Sequence, residues 1–392
     1  MSKSTETKSF WPTPAPPPSG LARYRQLSPR AGVHVSPIQL GAMSIGDKWA
    51  QYGMGEMNKE DSFKLLDAFY EKGGNFIDTA NIYQDGSSEE FLGEWMEQRG
   101  NRDQMVIATK YSSNLRVHDD ITHKVNYVGN SSKSLHVSLA ASLKRLRTSY
   151  IDIFYVHFWD WATSIEEVMN ALHAVVMSGK VLYLGISDTP AWVVSRANQY
   201  ARDHGKTPFV IYQGRWNVLD RSFEREIIPM AMSEGMALAP WDVLCTGKLR
   251  SDEEDERRKQ SNEKGRTTFV GNWERSDDQI KMSRVLQEIG KELGTSHVSA
   301  VAIAYVMQKT PFVFPIIGGR KVEHLTANLD SLEIALTNEH MKRIEGVVDF
   351  DPGFPANFVG PHDQYAPLLT NAGHFEQRPV ARAIKPTPTK QA

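Results

Sequence analysis

Four ionisable residues stand at or just after the ends of successive apolar runs. Asp78 closes Asn75-Phe76-Ile77-Asp78, and Tyr83 follows five residues later. Lys110 closes Ala108-Thr109-Lys110, and His157 closes Phe154-Tyr155-Val156-His157. Together these groups suit proton transfer to a carbonyl oxygen. A free tyrosine has a pKa of ~10 and shuttles protons poorly near neutrality. A buried cation beside it stabilises the phenolate, and each unit of lowering is worth ~1.4 kcal/mol. Lys110 can supply that charge. Asp78 can keep Lys110 charged where an unpaired ammonium would lose its proton. His157 can hydrogen-bond a substrate oxygen and orient it. Tyr83 would donate a proton to the carbonyl as hydride arrives and accept it in reverse. No metal is needed. Read singly, Lys110 is a surface charge, Asp78 a helix cap, and His157, followed by Phe158 and Trp159, a satisfied core histidine. Their conjunction at consecutive run ends favours the shared role.

Such groups need a scaffold that brings them to one face. Eight short apolar runs, at 39–45, 75–79, 105–109, 151–158, 181–187, 209–213, 236–241 and 312–317, read as strands. They are near-continuous rather than alternating, as expected of strands buried on both faces of a parallel sheet. Amphipathic stretches fill the gaps. Phe63, Leu66 and Phe69 or Tyr70 share one face ahead of Gly73-Gly74, and Leu135, Leu139, Leu143 and Leu146 follow serines that can cap. Eight strands with helices between them predict a closed (β/α)8 barrel, with an open doubly wound sheet as the alternative. In a barrel the strand C-termini converge on one mouth, which gathers Asp78, Tyr83, Lys110 and His157. The last interval holds two helical patterns, at 277–293 and 297–308, after a charged stretch at 250–266. That stretch is expected to be a solvated excursion over the mouth.

A chain of 392 residues could hold two or three domains at ~150 residues each, but one barrel of ~250 residues with insertions also fits. We divide it into an N-terminal extension (1–33), the barrel (34–349) and a C-terminal substrate loop over the mouth with a tail (350–392). Forty-five Lys and Arg against 47 Asp and Glu leave a formal charge of −2, so no basic excess points to nucleic acid or an anionic membrane. No apolar run approaches the ~18 residues of a membrane span, and the N-terminus lacks the apolar run of a secretory signal. One cysteine, Cys245, excludes an internal disulfide. A cytoplasmic protein is expected. Five prolines between Pro12 and Pro18 favour an extended arm, lying on the surface or serving as an SH3-type ligand. No Rossmann glycine motif, Walker loop, H-E-x-x-H or G-x-S-x-G occurs, so any dinucleotide is not held in a Rossmann crevice.

Gly74-Asn75-Phe76-Ile77-Asp78-Thr79-Ala80-Asn81-Ile82-Tyr83, followed by Ser87, Glu89, Leu92 and Gly93, resembles a signature of the aldo-keto reductase family. Lys110, His157, Gly185-Ile186-Ser187-Asp188 and Tyr212-Gln213 fall in that family's order. Ala239-Pro240-Trp241-Asp242-Val243-Leu244, Gly247-Lys248 and Phe350-Asp351-Pro352-Gly353-Phe354-Pro355 look like its fungal aryl-alcohol dehydrogenase and norsolorinic acid reductase branch. The resemblance implies a barrel that binds NADP(H) across its mouth, with Asp78, Tyr83, Lys110 and His157 as the catalytic tetrad. It implies that Ser187, Asp188 and Gln213 hold the nicotinamide carboxamide and that Trp241 stacks on the ring. Val243, Leu244 and Lys248 fall where the family binds pyrophosphate. Gly318, Gly319, Arg320, Lys321, His324 and Asn328 fall where it binds the adenosine 2′-phosphate and adenine. Arg320, after a Gly-Gly turn at the end of the eighth run, can also be read from the residues alone as a phosphate contact. Asp188 stands where many relatives have asparagine, and Gly318 where better-known reductases have a phosphate-binding lysine. The preference for NADP over NAD therefore rests on Arg320 and Lys321.

Trp49, Tyr52 and Met54 follow the first run, Trp159 and Trp161 follow His157, and Phe354 and Phe358 lie in the tail. We expect Trp49, Trp159 and Trp161 to line the substrate site, unless they only pack loops onto the barrel. An aromatic mouth suits a flat carbonyl compound, such as an aryl aldehyde, an aryl ketone or a polyketide intermediate. The product would be the alcohol. Two other functions remain open at this point: a cofactor-binding regulatory subunit, as the potassium-channel β subunits of this fold illustrate, or a non-redox biosynthetic step. A homo-oligomer is compatible with the sequence.

Overall fold

The computed structural model describes residues 10–54, 56–261 and 273–386. Strands apolar on both faces need cover on both, and the chain provides it by alternating strand with helix. A short antiparallel hairpin comes first, β1 (Arg25–Ser28) and β2 (Ala31–Val35). Eight strands follow: β3 (Gln39–Gly41), β4 (Phe76–Asp78), β5 (Val106–Tyr111), β6 (Ile151–Val156), β7 (Val181–Ser187), β8 (Phe209–Arg215), β9 (Ala237–Trp241) and β10 (Ile316–Gly318). All are parallel, in the order β10-β3-β4-β5-β6-β7-β8-β9. The first and last pair directly, with Gly41 opposite Gly318. The remaining seam closes at a parallel bridge between Leu238 and Val313, where Leu238 N donates to Phe312 O and Phe314 N donates to Leu238 O. An open sheet keeps two free edges, so this closure identifies a (β/α)8 barrel.

Helices α1 (Lys59–Glu71), α2 (Ser87–Arg99), α3 (Ser132–Arg145), α4 (Ile165–Met177), α5 (Ala191–Asp203) and α6 (Phe223–Glu234) each follow a strand. The long interval before β10 holds α7 (Asp252–Gln260), α8 (Asp277–Glu292) and α9 (Val298–Lys309). After β10 come α10 (Val322–Leu329) and α11 (Asn338–Glu345). Their starts are encoded locally. Asn58, Ser131, Ser164 and Ser251 each accept the backbone N–H three residues on, and Ser276 forms a capping box with Gln279. The first run, expected over 39–45, pairs only to Gly41, because the chain turns at Ala42, whose carbonyl accepts from Ile45 N.

Inside the barrel, Phe76, Val106, Ile153, Tyr155, Ile211 and Phe314 pack with Leu27, Ala31 and Val35 of the hairpin. Since β2 feeds the N-terminal end of β3, the hairpin plugs the end opposite the mouth. The division at 33/34 therefore needs correction: it cuts β2, and the hairpin belongs to the barrel core. Ahead of it, Phe10 and Trp11 are exposed, and Ser19 is tied down by its Oγ donating to Lys72 O.

Two further expectations change. As far as residue 386, the tail does not arch over the mouth. Asp351 O accepts from Arg225 in the first turn of α6, His362 meets Met232 in its last turn, and Lys385 donates to Leu336 O. These contacts run down the outside of the barrel, and Phe354 is 83 % exposed, so it forms no inner wall. The charged stretch is not simply solvated either. Part of it is α7, and Arg250 is buried by an ion pair with Asp255 and by the ring of Trp273, 4.5 Å away. Residues 262–266 of that stretch lie outside the described residues.

Candidate active site

The register of the parallel strands sets the height of each group at the mouth. Asp78 pairs with Gly41 and Ala108, Lys110 with Tyr155, and Ser187 with Gln213. Tyr83 comes from the turn after β4, where Gln84 and Asp85 both take φ of 52° and fold the chain back. Left-handed residues of this kind persist only where their surroundings hold them. Gln84 supplies that hold: its Oε1 accepts from the N–H groups of Lys48 and Trp49, and its Nε2 donates to Met43 O. At Gly86 (φ 95°) a Cβ would sit 2.2 Å from the guanidinium carbon of Arg145, so the turn must end in glycine.

Asp78, Tyr83, Lys110 and His157 lie together at the mouth. The Lys110 ammonium is fully buried and donates to Asp78 Oδ1 at 2.6 Å and to Thr79 O at 2.7 Å. Its nitrogen lies 5.1 Å from the centre of the Tyr83 ring. Burial works against the charge on Lys110, but Asp78 and Tyr83 outweigh it and raise the pKa, so the group stays an ammonium. Gln213 Nε2 donates to the other Asp78 oxygen at 2.9 Å. Below, buried Glu89 accepts from Thr109 Oγ1 at 2.7 Å and faces Arg145, which in turn donates to Asn81 O. That network fixes the ends of β4 and β5.

His157 lies across from the tyrosine, with ring centres 6.0 Å apart. The backbone N–H of His157 donates to Tyr111 O, and its ring Nδ1 meets Ser113 Oγ at 3.2 Å. Burial first and the Lys110 charge second push its pKa down to about 3. The imidazole is neutral at neutral pH. A base with a lowered folded pKa binds fewer protons folded than unfolded, so stability falls as pH drops from 6.5 toward 3. Other groups titrate in that window, so the comparison must be with a variant. His157→Gln should flatten the decline by up to about 1.4 kcal/mol per pH unit, read by urea unfolding at several pH values. Equal slopes in the two proteins would contradict the assignment.

Beyond the tetrad, Asp188 (φ 42°) accepts from Ser187 Oγ at 3.1 Å and from Trp241 Nε1 at 3.2 Å. Burial raises its carboxyl pKa. Val243 is buried in the core and Leu244 packs against it, so Val243 can offer a ligand only backbone. Lys248 is largely buried and lines a cleft of about 290 Å³ with Arg215, Asp242 and Thr246. Gly318 ends β10 and Gly319 follows it, and Arg320 and Lys321 lie exposed at the start of α10. His324 and Asn328 are four residues apart on that helix, Asn328 buried. Of the three tryptophans, Trp49 meets the Tyr83 ring edge-on at 6.3 Å. Trp159 packs against the core, while Trp161, 67 % exposed, has Trp192 as its ring neighbour at 6.3 Å. Thr79 and Ser113 escaped the sequence reading. Their signal was position alone, one residue after Asp78 and three after Lys110.

The profile described as the aldo/keto reductase family matches residues 37–349. The chain is 60 % identical to the aryl-alcohol dehydrogenase [NADP(+)] of Phanerodontia chrysosporium, over 96 % of this chain and 99 % of that protein. It is 52 % identical to the aldo-keto reductase ausK of Emericella nidulans, over 90 % of this chain and 87 % of that protein. Norsolorinic acid reductase B of Dothistroma septosporum is also 52 % identical, over 86 % of this chain and 84 % of that protein.

Proposed function

The chain belongs to the aldo/keto reductase family, and from that premise we propose that it is an NADP(H)-dependent oxidoreductase that reduces an aryl aldehyde or ketone to the alcohol. One observation carries the reading: a buried ammonium, held charged by Asp78, lies against Tyr83 at the mouth of a barrel.

The residues present fit the cofactor. Gln213 has its amide nitrogen committed to Asp78, which leaves its oxygen to accept from a carboxamide N–H. Asp188 is another acceptor beside it, and its bond to Trp241 fixes the indole as a stacking surface. Arg320 and Lys321 lie at the positive end of α10, a setting that favours a phosphate. A bound nicotinamide would supply the hydride. The chain supplies the proton. Tyr83 donates it to the substrate oxygen, and the Lys110 ammonium stabilises the charge left on the phenol oxygen. Ser113 Oγ–H can donate to Nδ1 of the neutral His157 ring, which leaves Nε2–H to donate to that same substrate oxygen. Trp49 forms one wall of the site. In oxidation the same groups take the proton back.

Titrating the protein with NADPH and then NADH, followed by quenching of tryptophan fluorescence, tests the cofactor half. NADPH should bind much the more tightly. Arg320→Ala should weaken NADPH by on the order of ten-fold or more, the scale of a charge-assisted phosphate contact, and leave NADH nearly unchanged. Turnover of an aryl aldehyde with a two-hydrogen gain in product mass tests the chemistry. If neither nucleotide bound, the reading would fail.

A further inference from the structure

One cluster at the mouth belongs neither to the tetrad nor to the expected cofactor contacts. The Asp85 carboxylate lies two residues beyond Tyr83, on the left-handed turn. Its Oδ1 accepts from Trp49 Nε1 at 3.0 Å and meets His118 Nδ1 at 2.8 Å. The His118 ring in turn stacks on Tyr52, with centres 4.7 Å apart and planes 11° from parallel. Three segments are joined by this one carboxylate: the loop after β3, the Tyr83 turn, and the loop after β5.

Other contacts already hold the backbones of these segments. Gly46 bridges Met57 and closes the first loop on itself. Gln84 holds the backbone of Lys48 and Trp49 to the turn. In the third segment Arg116 pairs with Asp119, and Lys124 donates to Val117 O. What these anchors leave unset is the plane of the Trp49 indole. An indole N–H is a donor only, and Asp85 gives it an acceptor. His118 gives the carboxylate its second donor, and Tyr52 fixes the His118 ring by stacking. The result is an indole set edge-on to the catalytic tyrosine ring, with planes at 73°.

We propose that Asp85 and His118 are positioning residues that hold Trp49 as a fixed wall beside Tyr83 and so select flat aryl carbonyls over aliphatic ones. The proposal rests on the reductase reading above. A fixed wall preserves its contact area with a planar ring at no ordering cost on binding. A small aliphatic aldehyde covers little of that wall and gains little from it. Neither Asp85 nor His118 touches the reacting oxygen, so chemistry should persist without them.

Two variants test this, His118→Ala and His118→Asn, the second keeping a donor near the Nδ1 position. With benzaldehyde, His118→Ala should raise KM on the order of ten-fold, the scale of one lost charge-assisted hydrogen bond, with kcat close to wild type. With butyraldehyde, both constants should stay within about two-fold. His118→Asn should recover much of the benzaldehyde KM. Protein labelled with 5-fluorotryptophan adds a readout free of turnover: the Trp49 fluorine resonance, assigned by its loss in Trp49→Phe, should shift or broaden in His118→Ala. An unchanged benzaldehyde KM with an unchanged Trp49 resonance would overturn the proposal. An equal rise in KM for both aldehydes would also overturn it, because it would show general loosening of the mouth. If wild type reduced neither aldehyde but the resonance moved, the wall would stand and the reductase reading would fall.

Discussion

Tyr83→Phe should lose about 10²–10⁴-fold in kcat for carbonyl reduction, the usual worth of a positioned general acid. Its affinity for NADPH should remain near wild type. The substitution removes one oxygen and leaves the ring. The ring is what meets Trp49 at 6.3 Å and His157 at 6.0 Å, so the packing at the mouth survives. Lys110 keeps Asp78 and Thr79 O as acceptors, so no buried ammonium is orphaned. The loss should therefore appear as a kinetic defect in a stable protein that still binds cofactor. Tryptophan quenching gives the affinity, thermal unfolding gives the stability, and steady-state rates give kcat. A parallel loss of NADPH binding would make Tyr83 structural. Retained turnover would remove it from the chemistry altogether, and would leave the buried ammonium without a use.

The barrel was legible in the sequence because its signals are local and redundant. Apolar runs too continuous for a one-faced sheet alternate with serine-capped amphipathic segments, and 181–187 is matched residue for residue by β7. Closure was not local, for it depends on Leu238 meeting Val313, 75 positions further along the chain. The hairpin is hard to read because β1 has four residues and no alternation, and β2 alternates over only five residues, Ala31, Val33 and Val35 against Gly32 and His34. Their strand character comes from filling the barrel floor with Leu27 and Val35. The tail was misplaced because aromatic residues after Phe350 read as substrate walls, whereas their backbone follows hydrogen bonds along α6. In the site, residues at strand ends could be read, since the parallel register gathers them. Ser113, Asp85 and His118 could not, since their roles depend on how loops fold back. Trp49 and Trp161 look alike in sequence. Only Trp49 has an acceptor that sets its plane against the tetrad.

Lys110→Met should be costly twice over, and the two losses can be separated. In the native protein the ammonium faces a carboxylate with 3 % of its side chain exposed, so neither charge can be hydrated in place of its partner. Removing the cation leaves Asp78 with Gln213 as its remaining side-chain donor. Breaking such a pair from one side typically costs about 3–5 kcal/mol, more than the pair itself contributes, because a buried charge is left uncompensated. Stability to urea should fall by about that amount. Removing both partners is another matter. In Lys110→Met with Asp78→Asn no charge is stranded, and Gln213 can still reach an amide oxygen, so most of the lost stability should return. Activity should not return. Charge that develops on the Tyr83 oxygen has then lost its stabilising cation, a contribution worth about 10²–10³-fold in kcat by analogy with single oxyanion donors. The imidazole provides a further check, because the Lys110 charge is the second of two causes that depress His157. Its pKa should climb in both variants, visible by NMR of the ring protons. If the double variant were as unstable as the single one, the pair would be an ordinary part of the core packing. If it were as active as wild type, the ammonium would be a strut, and Tyr83 would need another source of its acidity.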